Sequence, residues 1–190
     1  MIHHILKVPF ALCCLLLTVP CAAQSRREVA DRNIKSCTER REVVKKKNVR
    51  ERTTFTRYDK SGNPIEIIEY DRDSVAVKWE KNEFNKNGDP TLSIQFDSAG
   101  QVQRRIVTEY DRHEKPVRRT RYNAAGEVTS RTETEYNTFG DKTLETDYGR
   151  DGKVREKTTY RYDARGMLTS RENFNAEGKL TETLRYEYEY

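Results

Sequence analysis

The sequence predicts an all-β protein, an antiparallel β-meander of about 10–12 strands built from 26-residue repeats, each split into half-units of 12 and 14 residues. Three observations predict it. Aromatics stand before Asp/Asn-rich turns at Tyr58, Tyr70, Phe84, Phe96, Tyr110, Tyr122, Tyr136, Tyr148, Tyr162, Phe174 and Tyr188, with gaps that alternate strictly between 12 and 14. Gly62, Gly88, Gly100, Gly126, Gly140, Gly152, Gly166 and Gly178 each follow one of these aromatics by four residues. The intervals between turns are strand-length and rich in Thr, Val, Ile and Tyr, as in Leu92-Ser93-Ile94-Gln95-Phe96.

The chain opens with a segment that reads as a secretory signal peptide, residues 1–23. Met1–Lys7 is a basic start, Val8–Val19 an apolar run, and Cys21-Ala22-Ala23 offers small residues for a cut after Ala23. The run is too short to span a bilayer and no second one follows, so the cut chain is not expected to be transmembrane. Pro20 disfavours lipidation at Cys21. The expected destination is the periplasm, the cell surface or the exterior. The cut would remove Cys13, Cys14 and Cys21, leaving Cys37 as a lone thiol or an intermolecular link.

Residues 24–37 read as a basic N-terminal tail or short helix, and residues 38–190 as the repeat domain. Stepping the period back from Tyr58 lands on Val44, so Lys45-Lys46-Lys47-Asn48 reads as a degenerate turn with Asn48 in the glycine slot. Most later loops follow the form Tyr58-Asp59-Lys60-Ser61-Gly62-Asn63. The Asp or Asn bonds its own backbone two residues on, and the glycine takes the left-handed conformation that closes a three-residue hairpin loop with a bulge. Ser74 and Glu114 occupy glycine slots, which predicts two looser turns or turns of another type. The last strand is Tyr186-Glu187-Tyr188-Glu189-Tyr190.

If Asp59 pairs with Asn63, paired residues sum to an even number and parity names the faces. All eleven tyrosines are even-numbered, together with Val102, Val128, Val154, Leu168 and Leu180. The odd face carries Arg105, Arg119, Arg121, Arg131 and Glu133. Charges such as Glu66, Arg104 and Glu156 interrupt the even face as well, so neither face suits a lipid-facing barrel. The unequal half-units place residue x beside x+28 two strands on, whereas its repeat equivalent is x+26. That stagger implies tilt, hence a twisted or coiled single-layer sheet, a spiral, or a closed barrel.

Charged residues make up 35% of the chain and hydrophobic ones 34%, too few to fill a large core. The phased glycines and tyrosines argue against disorder, which such a composition would otherwise permit. Charge is also segregated: residues 24–57 carry a net of +7 and residues 58–190 a net of −3.

The Tyr-Asp-x-x-Gly unit, seen in Tyr58-Asp59-Lys60-Ser61-Gly62-Asn63 and Tyr162-Asp163-Ala164-Arg165-Gly166-Met167-Leu168, resembles the YD repeats of bacterial RHS proteins over residues 58–190. The chain resembles hairpin repeats of the MORN type more weakly. The RHS resemblance implies spiralling antiparallel sheet in a bacterial protein of the envelope or exterior.

Nothing in the sequence points to catalysis or a cofactor. His113 is the only histidine beyond the leader and no zinc set can form. The oxygen-rich loops Asp71-Arg72-Asp73 and Asn85-Lys86-Asn87-Gly88-Asp89 are explained by turn chemistry, and Glu133/Glu135 and Glu187/Glu189 by cross-strand charge pairing. The pI near 9.0 reflects one segment, so nucleic acid is not an expected partner. The expectation is a non-enzymatic interaction or structural module that binds a protein or itself. The candidate binding face is Tyr122, Tyr136, Tyr148, Tyr160, Tyr162 and Tyr188. The alternative is a carbohydrate- or cell-wall-binding module that stacks envelope polysaccharide on those rings.

Overall fold

The computed structural model describes residues 25–45 and 48–189, without the side chains of residues 44–50. The expected leader and Tyr190 lie outside this range. A short helix, α1 (Arg26–Asp31), precedes twelve strands: β1 (Ser36–Lys45), β2 (Asn48–Tyr58), β3 (Pro64–Tyr70), β4 (Ala76–Phe84), β5 (Pro90–Phe96) and β6 (Val102–Tyr110), then β7 (Pro116–Asn123), β8 (Val128–Tyr136), β9 (Lys142–Tyr148), β10 (Val154–Tyr162), β11 (Leu168–Asn175) and β12 (Leu180–Arg185). They form one antiparallel sheet in sequence order. β1 and β12 do not pair with each other, so the sheet is open and the barrel alternative is set aside. Among the described residues no helix is long and apolar enough to cross a membrane.

The loops explain the meander. Asp59 Oδ1 accepts from the N–H groups of Ser61 (2.8 Å) and Asn63 (2.9 Å), and Gly62 stands at φ 78°. Asp71, Asn85, Asp97, Asp111, Asn137 and Asp163 make the same paired bonds. The two loops without glycine do not loosen. Ser74 (φ 61°) and Glu114 (φ 65°) are held in the same left-handed conformation and close the same bonds back to Asp71 and Asp111. The aspartate clamp and the flanking ladders outweigh the strain of a side chain there. The first hairpin also differs from its expected form. Lys45 pairs with Asn48 in a ladder without a bulge, because only two residues separate these strand ends.

Parity fails as a guide to faces. The closing pair Tyr58–Pro64 sums to an even number, but beyond the bulge the pairs become Arg57–Glu66 and Phe55–Ile68, which sum to odd numbers. Each bulge adds one residue and slips the register by one. An even residue on one strand therefore neighbours an odd residue on the next. The stagger survives: Glu66 faces Lys81, which faces Ile94, two strands on and 28 residues later.

The aromatics therefore form two rows on opposite faces and at opposite ends of the sheet. Tyr70, Phe96, Tyr122, Tyr148 and Phe174 end odd-numbered strands on what we call the outer face. Tyr58, Phe84, Tyr110, Tyr136 and Tyr162 end even-numbered strands on the other, and Tyr188 follows β12 on that side. The described residues form no core in the usual sense. Val29 of α1 is the one buried apolar side chain among the described residues, at 2% exposure. The outer face carries a half-buried apolar strip over β3–β6, where Trp79 and Phe96 stack at 4.9 Å beneath Lys81. Cys37, expected to lack an intrachain partner, is disulfide-bonded. That expectation counted only the chain beyond Ala23, and the three other cysteines lie outside the described residues.

Candidate functional site

The face opposite the apolar strip is cupped by the twist into a groove of about 700 Å³ that crosses β4 to β9. Cross-strand pairing builds its floor. One row runs Asn82–Ser93–Ile106–Arg121–Ser130, and the next Thr108–Arg119–Thr132–Asp147–Glu156. Strand alternation thus gathers on one surface side chains drawn from Asn82 through Glu156 in sequence. The lining is mostly polar, with Leu92, Ile106, Tyr110 and Tyr136 as its larger apolar contributions.

Its charges are unevenly paired. Lys142 Nζ contacts Glu145 at 2.6 Å, and Thr132 donates to Asp147. Burial alone would lower the Lys142 ammonium, but the bond to Glu145 outweighs it and raises its pKa. Arg121 donates to Ser130 Oγ at 3.3 Å. Neither Arg119 nor Arg121 has a carboxylate partner among the described residues. Arg119 sits near Tyr110, whose pKa is raised chiefly by burial, with Asp89 adding to the rise and Arg119 opposing it.

Tyr110 and Tyr136 line the groove, and their hydroxyls, like those of Tyr162 and Tyr188 farther along the same face, are already engaged. Tyr110 donates to the Pro90 carbonyl (2.9 Å), Tyr136 to Pro116 (3.0 Å), Tyr162 to Lys142 (2.8 Å) and Tyr188 to Leu168 (3.0 Å). Each bond spans 20 residues and ties the end of one strand to the start of the strand before it. Phe84 lacks the hydroxyl, and there Asn82 Nδ2 donates to the Pro64 carbonyl instead (3.3 Å). Burial raises the pKa of Tyr136 and Tyr162 as well.

The six tyrosines singled out from sequence do not share a surface. Tyr136, Tyr160, Tyr162 and Tyr188 lie on the grooved face, whereas Tyr122 and Tyr148 lie on the outer face. The single tyrosine face is an artefact of assuming unbroken parity across the bulges. Several rings are also covered. The Arg131 guanidinium lies 4.3 Å from the Tyr148 ring centroid, Lys142 lies 5.5 Å from Tyr160, and Lys115 lies 5.9 Å from Tyr136. The Tyr148 hydroxyl donates to Glu133, which also pairs with Arg118 (3.1 Å) and Arg131 (3.3 Å). Burial opposes ionisation of Glu133, but Tyr148 and the two arginines outweigh it and hold its carboxyl below the ordinary value.

Sequence reasoning missed Arg119 and Arg121 as site residues, having placed them on a solvated face. The signal was present as an Arg-x-Arg alternation within one strand. Reading it required knowing which neighbours each bulge would bring.

No protein-family model matches the chain, and no curated protein matches it in sequence. Among solved structures, the chain is similar to a porin-like protein from Bacteroides uniformis at 13% identity and a TM-score of 0.32, covering 78% of this chain and 94% of that one. It is similar to part of a TcdB2-TccC3 assembly at 11% identity and a TM-score of 0.31, covering 78% of this chain and 11% of that one. It is also similar to a protein of unknown function from Bacteroides fragilis at 11% identity and a TM-score of 0.20, covering 82% and 96%. The architecture itself rests on the strand order: the chain is a twelve-stranded antiparallel β-repeat sheet.

Proposed function

We propose that this chain is an exported, non-enzymatic interaction module that holds a protein partner along the grooved face across β4–β9. The observation that carries the reading is the groove itself, with Arg119 and Arg121 lacking carboxylate partners among polar neighbours. Guanidinium groups of this kind favour carboxylate-bearing protein surfaces, because they bond in a planar fork. Export rests on the leader-like residues 1–23, and a relation to RHS/YD-repeat sheets on the Tyr-Asp-x-x-Gly loops. The carbohydrate alternative is weaker, since its stacking tyrosines are split between two faces and cations cover several of the rings. Glu133 is tied to two arginines and a tyrosine, which suits a structural ion pair and not a general acid.

The test is capture of an envelope protein by the purified chain, followed by titration of that protein alone. Saturable binding that is lost in Arg119→Glu/Arg121→Glu, with the sheet intact by circular dichroism, supports the reading. Glycan-array binding that survives those changes overturns it.

A further inference from the structure

We infer that the sheet assembles head to tail, with β12 of one copy taking β1 of a second copy as its next strand. This surface is separate from the groove, and the inference does not depend on the groove having a partner.

Both outer strands lack a neighbour on their outward sides among the described residues. Such an edge offers a row of backbone donors and acceptors to another strand. Neither β1 nor β12 contains a proline, and β1 pairs with β2 without a bulge. Lengths agree. β1 has ten residues, and β12 is six residues followed by Tyr186–Glu189, with Tyr186 still donating to the Thr169 carbonyl.

Direction agrees too. In an up-and-down sheet of twelve strands the first and last run opposite ways. A second copy stepped along the sheet therefore presents β1 antiparallel to β12, as at every junction within the sheet.

Charge selects this pairing over its alternatives. β1 carries Arg40, Arg41 and Lys45 against Glu39 and Glu42, whereas β12 and its continuation carry Glu182, Glu187 and Glu189 against Arg185. A β12–β12 pairing would gather glutamates on both sides. β1 also has poorly matched charges on its inner side, where Arg41 faces Arg52 and Glu42 faces Glu51. Like charges directly opposite destabilise a ladder, and a neighbour rich in glutamate gives Arg40 and Arg41 opposite-sign partners. The contact is heterologous and does not close, so it extends as a filament.

Hydrogen bonding identifies which residues to change. Tyr186 donates inward to the Thr169 carbonyl, and the Lys35 carbonyl points inward to accept from Tyr58, so alternation along each edge strand turns the N–H groups of Arg185 and Thr38 outward. Thr38→Pro and Arg185→Pro remove an outward donor while sparing the inner ladder. Sedimentation velocity and light scattering on the purified protein are expected to show concentration-dependent oligomers that weaken with salt. Each proline variant alone is expected to remain monomeric. An equimolar mixture joins the sound edges into a dimer of two chains and stops there. A monomeric wild type, a mixture that stays monomeric, or a single variant that dimerises alone overturns the proposal. If a proline unfolds its strand, charge reversal decides. Glu182→Lys/Glu187→Lys and Arg40→Glu/Arg41→Glu should each lose assembly, and mixing them should restore it; no restoration overturns the proposal.

Discussion

The tyrosine hydroxyls that tie neighbouring strands supply a series of near-identical bonds, and their removal gives a graded prediction. Tyr110→Phe, Tyr136→Phe, Tyr162→Phe and Tyr188→Phe each delete one bond of 2.8–3.0 Å to a backbone carbonyl without changing the packed ring. A hydrogen bond of this kind contributes about 0.5–1.5 kcal/mol net, and the larger figure applies where water cannot replace the donor. The Tyr162 bond is part-buried and the other three are exposed, so Tyr162→Phe should cost about 1–1.5 kcal/mol and the others about 0.5 each. Successive sites are two strands apart, roughly 10 Å, so the costs should add to about 3 kcal/mol in the quadruple variant. Phe84→Tyr is the converse. Asn82 already occupies the Pro64 carbonyl, so the gain should be below about 0.5 kcal/mol. Urea unfolding followed by tyrosine and tryptophan fluorescence measures each value, with an unchanged slope. A Tyr162→Phe variant no less stable than Tyr110→Phe would refute the reasoning that burial grades these bonds.

Four further outcomes follow. Gly62→Ala should be far more damaging than Gly126→Ala, since a Cβ at Gly62 would lie 2.0 Å from the Arg26 carbonyl oxygen whereas nothing lies within 4 Å at Gly126; thermal melts of the two variants compare them. Ser74→Gly and Glu114→Gly should each stabilise by about 0.5–1 kcal/mol, by relieving left-handed strain in the same unfolding assay. Tyr110, Tyr136 and Tyr162 ionise above the ordinary value chiefly because the sheet partly desolvates them, so their folded state holds protons that the unfolded state has shed. Stability should therefore be intact below about pH 10 and fall above it, seen as a declining urea midpoint. Asp59 is held below the ordinary carboxylate value because bonds from Asn63 and Ser61 outweigh its burial. Its contribution should be present above about pH 4 and be lost as pH falls further, and Asp59→Asn should flatten that acid limb.

The repeat was legible because a turn is a local event. Asp59 and Gly62 settle their loop within five residues, and the same chemistry recurs at most of the later turns. Ser74 and Glu114 show that the period is a stronger signal than the glycine itself, since neighbouring ladders impose the turn on residues that would not choose it. The faces were not legible, because a bulge in each hairpin from β2 onward inverts the alternation and only pairing reveals it. Tyr122 and Tyr136 look equivalent in sequence, yet they project from opposite sides of the sheet. The groove was hidden for the same reason: Arg119 becomes a neighbour of Thr132 and Asp147 only once two bulges have been counted.

The strand order has one further implication. Among the described residues each strand pairs only with the strands before and after it, so no long-range closure condition fixes how many there must be. Excising one 26-residue unit, for instance between equivalent points in β5 and β7, should leave a functional ladder on each side of the join. The sheet would shorten by about 10 Å, two strand spacings. Such a scaffold behaves as a ruler. Duplication or loss of a single unit can change the reach of the protein in fixed steps, without redesign of any loop or strand.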